Sequence, residues 1–171
     1  MAGGARAEFS EFAHSRWPGL VRLGYGLTGD RGLAEDLAQA TLVSAYVSWR
    51  RVRRADDPDA YVRRILVNRF RGGFRKRRVA EELGASPPDL GVVDPTAAHA
   101  ERASVIAAVA ALPPRQREVV LLRFWLDLTE VQVAATLGCS VGNVKSQTAR
   151  ALAKLRVSAE LADWGPHEDK R

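Results

Sequence analysis

Basic side chains are the residues of this sequence best suited to binding chemistry, and they fall into two blocks. Residues 50–78 hold 12 Lys or Arg against 3 acidic residues, and residues 102–156 hold 8 against 3. The stretch 79–101 between them holds 5 acidic residues and no Lys or Arg. Two basic blocks with an acidic spacer indicate two surfaces that meet a polyanion such as nucleic acid. A solvated charged face is the alternative explanation for either block taken alone.

The residue types needed for catalysis or metal binding do not come together in the sequence. His14, His99 and His167 are scattered, and no acidic trio has the spacing that a nucleic-acid recombinase would need. The single cysteine, Cys139, cannot form an internal disulfide, and no Cys/His cluster has metal-ligand spacing. We therefore expect no catalytic residue, no metal and no cofactor. With no long apolar run and no signal core, we also expect no membrane insertion and a cytoplasmic location.

The strongest motif predicts a helix-turn-helix in the second basic block. Thr129 and Gln132 form a capping box, which specifies where the first helix begins. Three further residues have the spacing of a helix-turn-helix: Ala134, Gly138 and Val144. A helix-turn-helix needs a small residue at the helix crossing, a positive φ in the turn and an apolar residue that holds the second helix. The alternative is an amphipathic helix pair in an ordinary bundle.

The second helix of this motif offers side chains that suit a DNA groove. Recognition helices present their N-terminal residues to base edges in the major groove. Arg and Lys can reach guanine acceptors or phosphates, Asn can pair with adenine, and Ala can touch a thymine methyl group. The candidate contacts on this helix are Asn143, Lys145, Ser146, Ala149 and Arg150.

Helices are the elements expected to position these residues, because apolar side chains recur with a helical period and strand alternation is not convincing. Asp30 and Asp57 are placed to cap helix starts. Pro18 is expected to open a fresh helix, and Gly72 with the following glycine is expected to interrupt one. The second helix is expected to run from about Arg31 to Trp49 and to bury several apolar residues, among them Tyr46.

We predict an all-α fold of two small helical domains joined by a flexible acidic linker. The first domain spans 1–78, the linker 79–101 and the second domain, which carries the helix-turn-helix, 102–159. A short polar tail follows at 160–171. The sequence does not predict whether the two domains hold together in the free chain.

The order of these motifs resembles that of the extracytoplasmic-function sigma factors. The motif sequences are most similar to those of an actinobacterial subgroup. The stretches 112–120 (LPPRQREVV) and 137–146 (LGCSVGNVKS) are similar to region four of that family. The stretches 27–30 (LTGD), 34–39 (AEDLAQ) and 59–68 (DAYVRRILVN) are similar to its region two. Two motif sets in the family's order are more specific than either alone.

The resemblance implies a subunit that directs core RNA polymerase to promoters. The positions of Glu35, Asp36 and Gln39 match the face that grips the coiled coil of the beta-prime subunit. A carboxylate near a helix start also has a simpler explanation in the helix dipole. The second domain would dock on the flap of the beta subunit, and its recognition helix matches the minus-thirty-five contacts. An anti-sigma factor is a further implied partner.

The resemblance also assigns the reading of the minus-ten element to the first domain. The loop 50–57 and the helix after it match the parts that bind an opened strand with one flipped base. Asn68 matches a position near the pocket for that base, while Arg63, Arg64 and Arg71 would hold phosphates. The alternative role of Asn68 is a hydrogen bond to a neighbouring backbone group.

Two other functions are compatible with a helix-turn-helix. A stand-alone transcriptional regulator would carry a sensor or dimerisation domain at its N-terminus, with basic residues mostly on the other domain. An enzyme such as a recombinase would need convergent nucleophiles or metal-binding carboxylates. Both domains of this chain are basic, so the sigma factor remains the preferred interpretation.

Overall fold

Helices account for all the regular secondary structure that the computed structural model describes, which is the backbone of residues 2–82 and 97–163. Side chains are described for 4–73 and 104–158. The elements are α1 (Ala2–Thr28), α2 (Arg31–Val47), α3 (Trp49–Val52), α4 (Pro58–Glu82), α5 (Ala97–Ala110), α6 (Pro114–Val120), a π-helical turn (Leu121–Trp125), α7 (Glu130–Leu137) and α8 (Val141–Asp163). The predicted all-α class is confirmed. In these ranges, no helix has the length and apolar character required to cross a membrane.

The helix starts follow the capping residues of the sequence. The Asp30 carboxylate accepts a hydrogen bond of 2.7 Å from the backbone N–H of Leu33, at the start of α2. The Asp57 carboxylate accepts one of 2.8 Å from Ala60, in the first turn of α4. Each bond satisfies an N–H group that has no partner within its helix. Both predicted caps are confirmed.

The expected helix start at Pro18 is wrong, because α1 runs through it without a break. A proline inside a helix leaves one carbonyl oxygen without a donor and costs about 3 kcal/mol. Pro18 lies on the exposed side of α1, where water can supply that donor. Phe12 before it and Leu20 after it pack on the same core, which favours one continuous helix over two.

The expected interruption at Gly72 and Gly73 is also wrong, because α4 continues through both glycines to Glu82. Glycine lowers helix stability by about 1 kcal/mol relative to alanine but does not forbid the helix. Helices therefore enter both ends of the predicted linker, since α5 already begins at Ala97. The remainder of the linker, 83–96, and the tail from 164 lie outside the described residues. The domain boundaries stay predictions.

The first domain is built from α1, α2 and α4, whose apolar faces meet in one core. Leu27 and Leu66 are fully enclosed there. Trp49, in the short helix α3, closes one end of this core. Its ring packs against those of Phe9 and Phe12, with centroids 5.2 Å away in each case. This aromatic cluster ties the first half of α1 to α3.

The helix-turn-helix is formed by α7 and α8 as its motif predicts. Both hydrogen bonds of the capping box are present between Thr129 and Gln132, at 2.8 and 3.2 Å. Gly138 ends α7 with a φ of +64°, which is the left-handed turn conformation that glycine adopts without strain. The Ser140 hydroxyl accepts from the backbone of α8, and Val144 is fully buried beneath it.

The two domains pack against each other, and their buried side chains form one continuous core. Helix α4 lies on α7, while α1 contacts α5, α6 and the π-helical turn. Arg117 of the second domain crosses the junction, where its guanidinium donates to the carbonyl oxygen of Leu27 at 2.5 Å. It also donates to the carbonyl oxygens of Ala110 and Leu112. The chain is therefore closed, with the first domain resting on the helix-turn-helix.

Two glycines of the helix-turn-helix give a matched test of this backbone. Gly138→Ala should lower the free energy of unfolding by about 1–2 kcal/mol, because a β-carbon is strained at positive φ. Gly142→Ala lies inside α8, where only the Ser140 hydroxyl would approach its β-carbon. It should be neutral or stabilise by up to about 1 kcal/mol, since alanine is the better helix former. Urea unfolding measures both, and equal effects would contradict the turn geometry.

Candidate nucleic-acid interface

The recognition helix α8 separates a buried side from an exposed side. Val144 and Ala151 are fully buried against the rest of the second domain. The five predicted base-contacting residues are all exposed on the other side: Asn143, Lys145, Ser146, Ala149 and Arg150. Positions three, four and seven apart share a helix face, so these side chains form one polar surface near the start of α8.

The chemistry of this surface fits a major groove. It has two cations, one amide and one hydroxyl, together with a small methyl side chain. The Lys145 ammonium lies 3.7 Å from the carboxylate of Glu130, which is a loose and largely exposed ion pair. Exposed pairs of this kind contribute about 0–1 kcal/mol, so Lys145 can exchange Glu130 for a phosphate at little cost.

The predicted minus-ten residues of α4 lie in less uniform surroundings. Asn68 is exposed, and its side chain makes no hydrogen bond to another residue whose side chain is described. The alternative that Asn68 satisfies a neighbouring backbone group is therefore not supported. Arg63 is half-buried and lies 3.4 Å from the Asp57 carboxylate. Arg64 is exposed but lies beside the helix-turn-helix, with Nη2 3.6 Å from where a β-carbon on Gly138 would stand.

Arg71 is engaged within the protein. Its Nε and Nη2 donate to the two carboxylate oxygens of Glu118, at 2.8 and 2.7 Å. The Glu118 side chain is 0% exposed and Arg71 is 23% exposed, so the pair is largely shielded from water. Arg71 also reaches the carbonyl oxygen of Leu137, at 3.4 Å. In the closed chain the guanidinium of Arg71 is thus held by the second domain.

Glu118 and Arg117 were missed by the sequence reasoning, although a signal was present. They adjoin the apolar run 119–122, and Glu118 lies three and four positions before Leu121 and Leu122. That spacing places Glu118 on the buried face of its helix. Burial lowers the pKa of the Arg117 guanidinium, while the neighbouring Glu118 carboxylate acts in the opposite direction. A charged residue with this register in an apolar run indicates a buried ion pair.

The predicted polymerase-binding residues lie on α2. Asp36 and Gln39 are exposed, while Glu35 is half-buried and pairs with Arg31 at 3.0 Å. Gln39 also lines an open groove of about 470 Å³ between α1 and α2. The other residues that line this groove include Phe9, Trp17, Leu42, Val43 and Tyr46. Of the three polar residues, Gln39 therefore borders an apolar surface.

The expectation that Tyr46 is buried is wrong, since its side chain is 51% exposed. Val43 and Val47 beside it are 58% and 83% exposed. Gln39, Val43 and Val47 are spaced by four, which places them along one face of α2. An exposed apolar patch bordered by polar side chains is typical of a protein-binding surface. This patch was the available signal for a partner, and the sequence reasoning assigned its tyrosine to the core instead.

No group of three His, Cys, Asp or Glu in the part of the chain that the structure describes could hold a metal ion. Cys139 is half-buried in the turn of the helix-turn-helix, packed against the core.

Family comparisons agree with the order of these surfaces. The model of Sigma-70 region 2 matches residues 14–79, and that of Sigma-70, region 4, matches residues 102–155. The first range holds the α2 face and the predicted minus-ten residues up to Arg71. The second range holds Glu118, α7 and α8 as far as Leu155, with all five candidate base contacts.

Similar proteins extend this match over nearly the whole chain. An RNA polymerase sigma-E factor of Streptomyces antibioticus is 39% identical over 163 residues, which cover 95% of this chain and 91% of that protein. The ECF RNA polymerase sigma factor EcfG of Rhodopseudomonas palustris (strain TIE-1) is 32% identical, covering 90% of this chain and 88% of its own. The sigma factor RpoE, solved in complex with the anti-sigma factor NepR from Bartonella quintana, shares the fold. Its TM-score is 0.77 at 24% identity, over 90% of this chain and 97% of that one.

Two regions of one family match this chain in order, and a relative is 39% identical across almost its entire length. Together these matches assign the chain to a family. This chain belongs to the extracytoplasmic-function sigma factors of the sigma-70 family.

Proposed function

We propose that this sigma factor binds core RNA polymerase through α2 and reads promoters through α4 and α8. Its family directs transcription initiation, and the polymerase it joins would place it in the cytoplasm. The observation that carries the assignment to residues is the geometry of α8. Five side chains suited to base edges are exposed there, on a helix whose opposite side is buried.

The recognition helix would read the minus-thirty-five element as intact duplex DNA. Lys145 and Arg150 supply the cations, and Asn143 supplies an amide close to the start of the helix. Helices of this kind enter the major groove with their N-terminal residues against base edges. The exposure of all five candidates supports this reading, because none of them has to be uncovered first.

Helix α4 would read the minus-ten element as a separated strand. The exposed amide of Asn68 can form hydrogen bonds with a Watson–Crick edge that duplex DNA hides. Arg63, Arg64 and Arg71 lie on the same helix within about two turns of it and would hold the strand by its phosphates. Flipping a base costs a few kcal/mol, so polymerase contacts must help to open the strand.

The α2 face would dock on the coiled coil of the beta-prime subunit. Support comes from the groove beside Gln39, whose apolar lining gives this face area to bury in addition to its charges. Obligate and regulatory interfaces combine such an apolar centre with a polar rim. The second domain would contact the flap of the beta subunit, for which the half-exposed ring of Phe124 is a candidate.

An anti-sigma factor is a further proposed partner. The solved Bartonella quintana sigma factor with this fold is bound to one. We infer that a protein of the same class restrains this chain until a signal releases it. Co-purification of the tagged chain from its host under non-inducing conditions would identify it.

Run-off transcription with core polymerase and fragmented genomic DNA tests the function as a whole. The chain should produce transcripts that begin at defined sites and share two spaced sequence elements. A stand-alone regulator would instead bind duplex DNA without polymerase and leave the start sites of core polymerase unchanged. That result would favour the alternative function.

The α2 face is tested by reversing its charge. Glu35→Lys together with Asp36→Lys should abolish co-purification with core polymerase, because two cations would replace the carboxylates of the interface. Circular dichroism should show unchanged helical content. Glu8→Lys with Glu11→Lys makes the same charge change on exposed residues of α1 and should bind core normally. Normal binding by the α2 variant would remove these residues from the interface.

The recognition helix is tested at Arg150. Arg150→Ala should weaken use of the preferred upstream element by about 1–3 kcal/mol, as the loss of a base contact does. Arg156→Ala, exposed further along the same helix, serves as the control and should have little effect. An equal loss on promoters with scrambled upstream elements would mean that Arg150 touches only phosphate.

The minus-ten assignment is tested on templates whose minus-ten region is already mismatched, because these remove the cost of opening. Asn68→Ala should weaken holoenzyme binding to a bubble with the preferred non-template sequence and have little effect on a scrambled bubble. Asn143→Ala, an amide of the other domain, should not distinguish the two bubbles. If Asn68→Ala weakens both alike, base reading belongs to the loop 50–57 instead.

A further inference from the structure

In the closed arrangement, the two proposed DNA-binding surfaces differ in their contacts with the rest of the protein. All five candidates on α8 are exposed, whereas α4 lies against α7 at the helix-turn-helix. Arg64 of α4 lies beside the turn at Gly138, and Arg71 is bound to Glu118. A strand that followed the phosphate-binding side of α4 would meet the second domain at both arginines.

The ion pair between Arg71 and Glu118 uses the same chemistry as a phosphate contact. Guanidinium groups form two parallel hydrogen bonds with carboxylates and with phosphates alike. The bonds of 2.8 and 2.7 Å to Glu118 occupy Nε and Nη2, the edge of Arg71 that a phosphate would use. Arg71 can therefore serve Glu118 or a DNA strand, but not both in this geometry.

A second contact holds the domains together away from any charge. Gly26 of α1 faces Leu121 of the π-helical turn. A β-carbon on Gly26 would stand 2.7 Å from Cδ2 of Leu121, 3.1 Å from its Cδ1 and 3.5 Å from its Cγ. Leu121 is 1% exposed, so it has little room to turn aside. These are the three nearest atoms to that position, apart from the glycine's own helix and chain neighbours.

Open clefts lie along the junction. One of about 300 Å³ is lined by residues of both domains, among them Leu37, Phe70 and Arg117. A second, of about 220 Å³, lies between Leu23 and Leu128. Both are open to solvent, so the two domains do not cover each other completely where they meet.

Glu118 has a replacement partner for the opened state. Arg115, three positions earlier on α6, has its Nη1 4.0 Å from a carboxylate oxygen of Glu118. Its side chain is 57% exposed and belongs to the same domain as Glu118. When Arg71 leaves, Arg115 can move in and keep the carboxylate paired. Opening then avoids the cost of an uncompensated buried charge.

We propose that the Arg71–Glu118 pair and the Gly26–Leu121 contact form a latch that holds the two domains together and withholds Arg71 from DNA in the free chain. Glu118 occupies the place of a DNA phosphate on Arg71, while Asn68 of α4 and the α8 candidates stay exposed. The assignment of α4 to DNA rests on the proposed function, whereas the latch itself rests on contacts within the chain. Anything that separates the domains frees Arg71.

The test uses the full-length chain and variants of each of the two latch contacts. Gly26→Ala pushes on Leu121 without changing charge, and Gly19→Ala is its control, with open space around the added carbon. A compact chain of 171 residues has a radius of gyration of about 16 Å. Small-angle scattering should show a larger radius for Gly26→Ala than for the wild type, and no change for Gly19→Ala.

The two ends of the ion pair separate opening from DNA binding. Glu118→Gln and Arg71→Gln should both expand the chain, but only Glu118→Gln leaves a free cation on α4. Binding is measured on a DNA bubble of arbitrary sequence, because phosphate contacts do not depend on sequence. If the latch closes about nine chains in ten, Gly26→Ala and Glu118→Gln tighten the apparent Kd about tenfold. Arg71→Gln should gain markedly less.

A charge control completes the design. Asp127→Asn makes the same charge change as Glu118→Gln at an exposed residue outside the latch, and it should leave both the radius and the Kd close to wild type. Unchanged radii for Gly26→Ala and Glu118→Gln would overturn the latch. Expansion without tighter bubble binding would overturn the claim that the latch withholds Arg71 from DNA. Failure of run-off transcription would refute the sigma function and leave the scattering result standing.

Discussion

The Glu118 carboxylate is completely buried, and the closed arrangement of the two domains depends on a cation that pairs with it. A buried carboxylate is tolerated only when a cation and hydrogen bonds replace its water. Arg71, which belongs to the other domain, supplies the cation and donates two hydrogen bonds to the carboxylate. The position of α4 on the second domain is therefore fixed by charge as well as by apolar packing. Removing one partner alone from such a pair is costly, which makes the contact selective for this arrangement.

The local parts of this fold were readable in the sequence because their signals act over a few residues. The capping box of Thr129 and Gln132, the glycine turn at 138 and the cap at Asp30 each depend on neighbours within one helical turn. Their hydrogen bonds are present as expected. The exposed face of α8 follows from the same periodicity, since buried Val144 fixes which side points outwards.

The predictions that failed depended on contacts between distant segments. Pro18 and the glycines at 72 and 73 are helix breakers by propensity, yet α1 and α4 continue through them. For α1, core packing on both sides of Pro18 favours the continuous helix. Tyr46 has the period of a core residue but lies on a face of α2 that the described residues leave partly uncovered. The pairing of Arg71 was not predicted at all, because its partner in the closed chain, Glu118, lies 47 positions further along the sequence. No local pattern encodes that pairing.

The unequal exposure of the two surfaces matches the states of DNA that they are proposed to read. An upstream element is read in the major groove of a duplex, which is accessible at any time. A minus-ten strand becomes available only when the duplex is opened with the help of polymerase. A free chain with Arg71 released would hold phosphates of any DNA, because such contacts carry no sequence information. Pairing Arg71 with Glu118 while α8 stays exposed would suppress that nonspecific binding and leave the proposed reading of the duplex element intact. Arg71 is the cation whose nonspecific binding has to be suppressed, and it is also the cation that Glu118 neutralises within the protein.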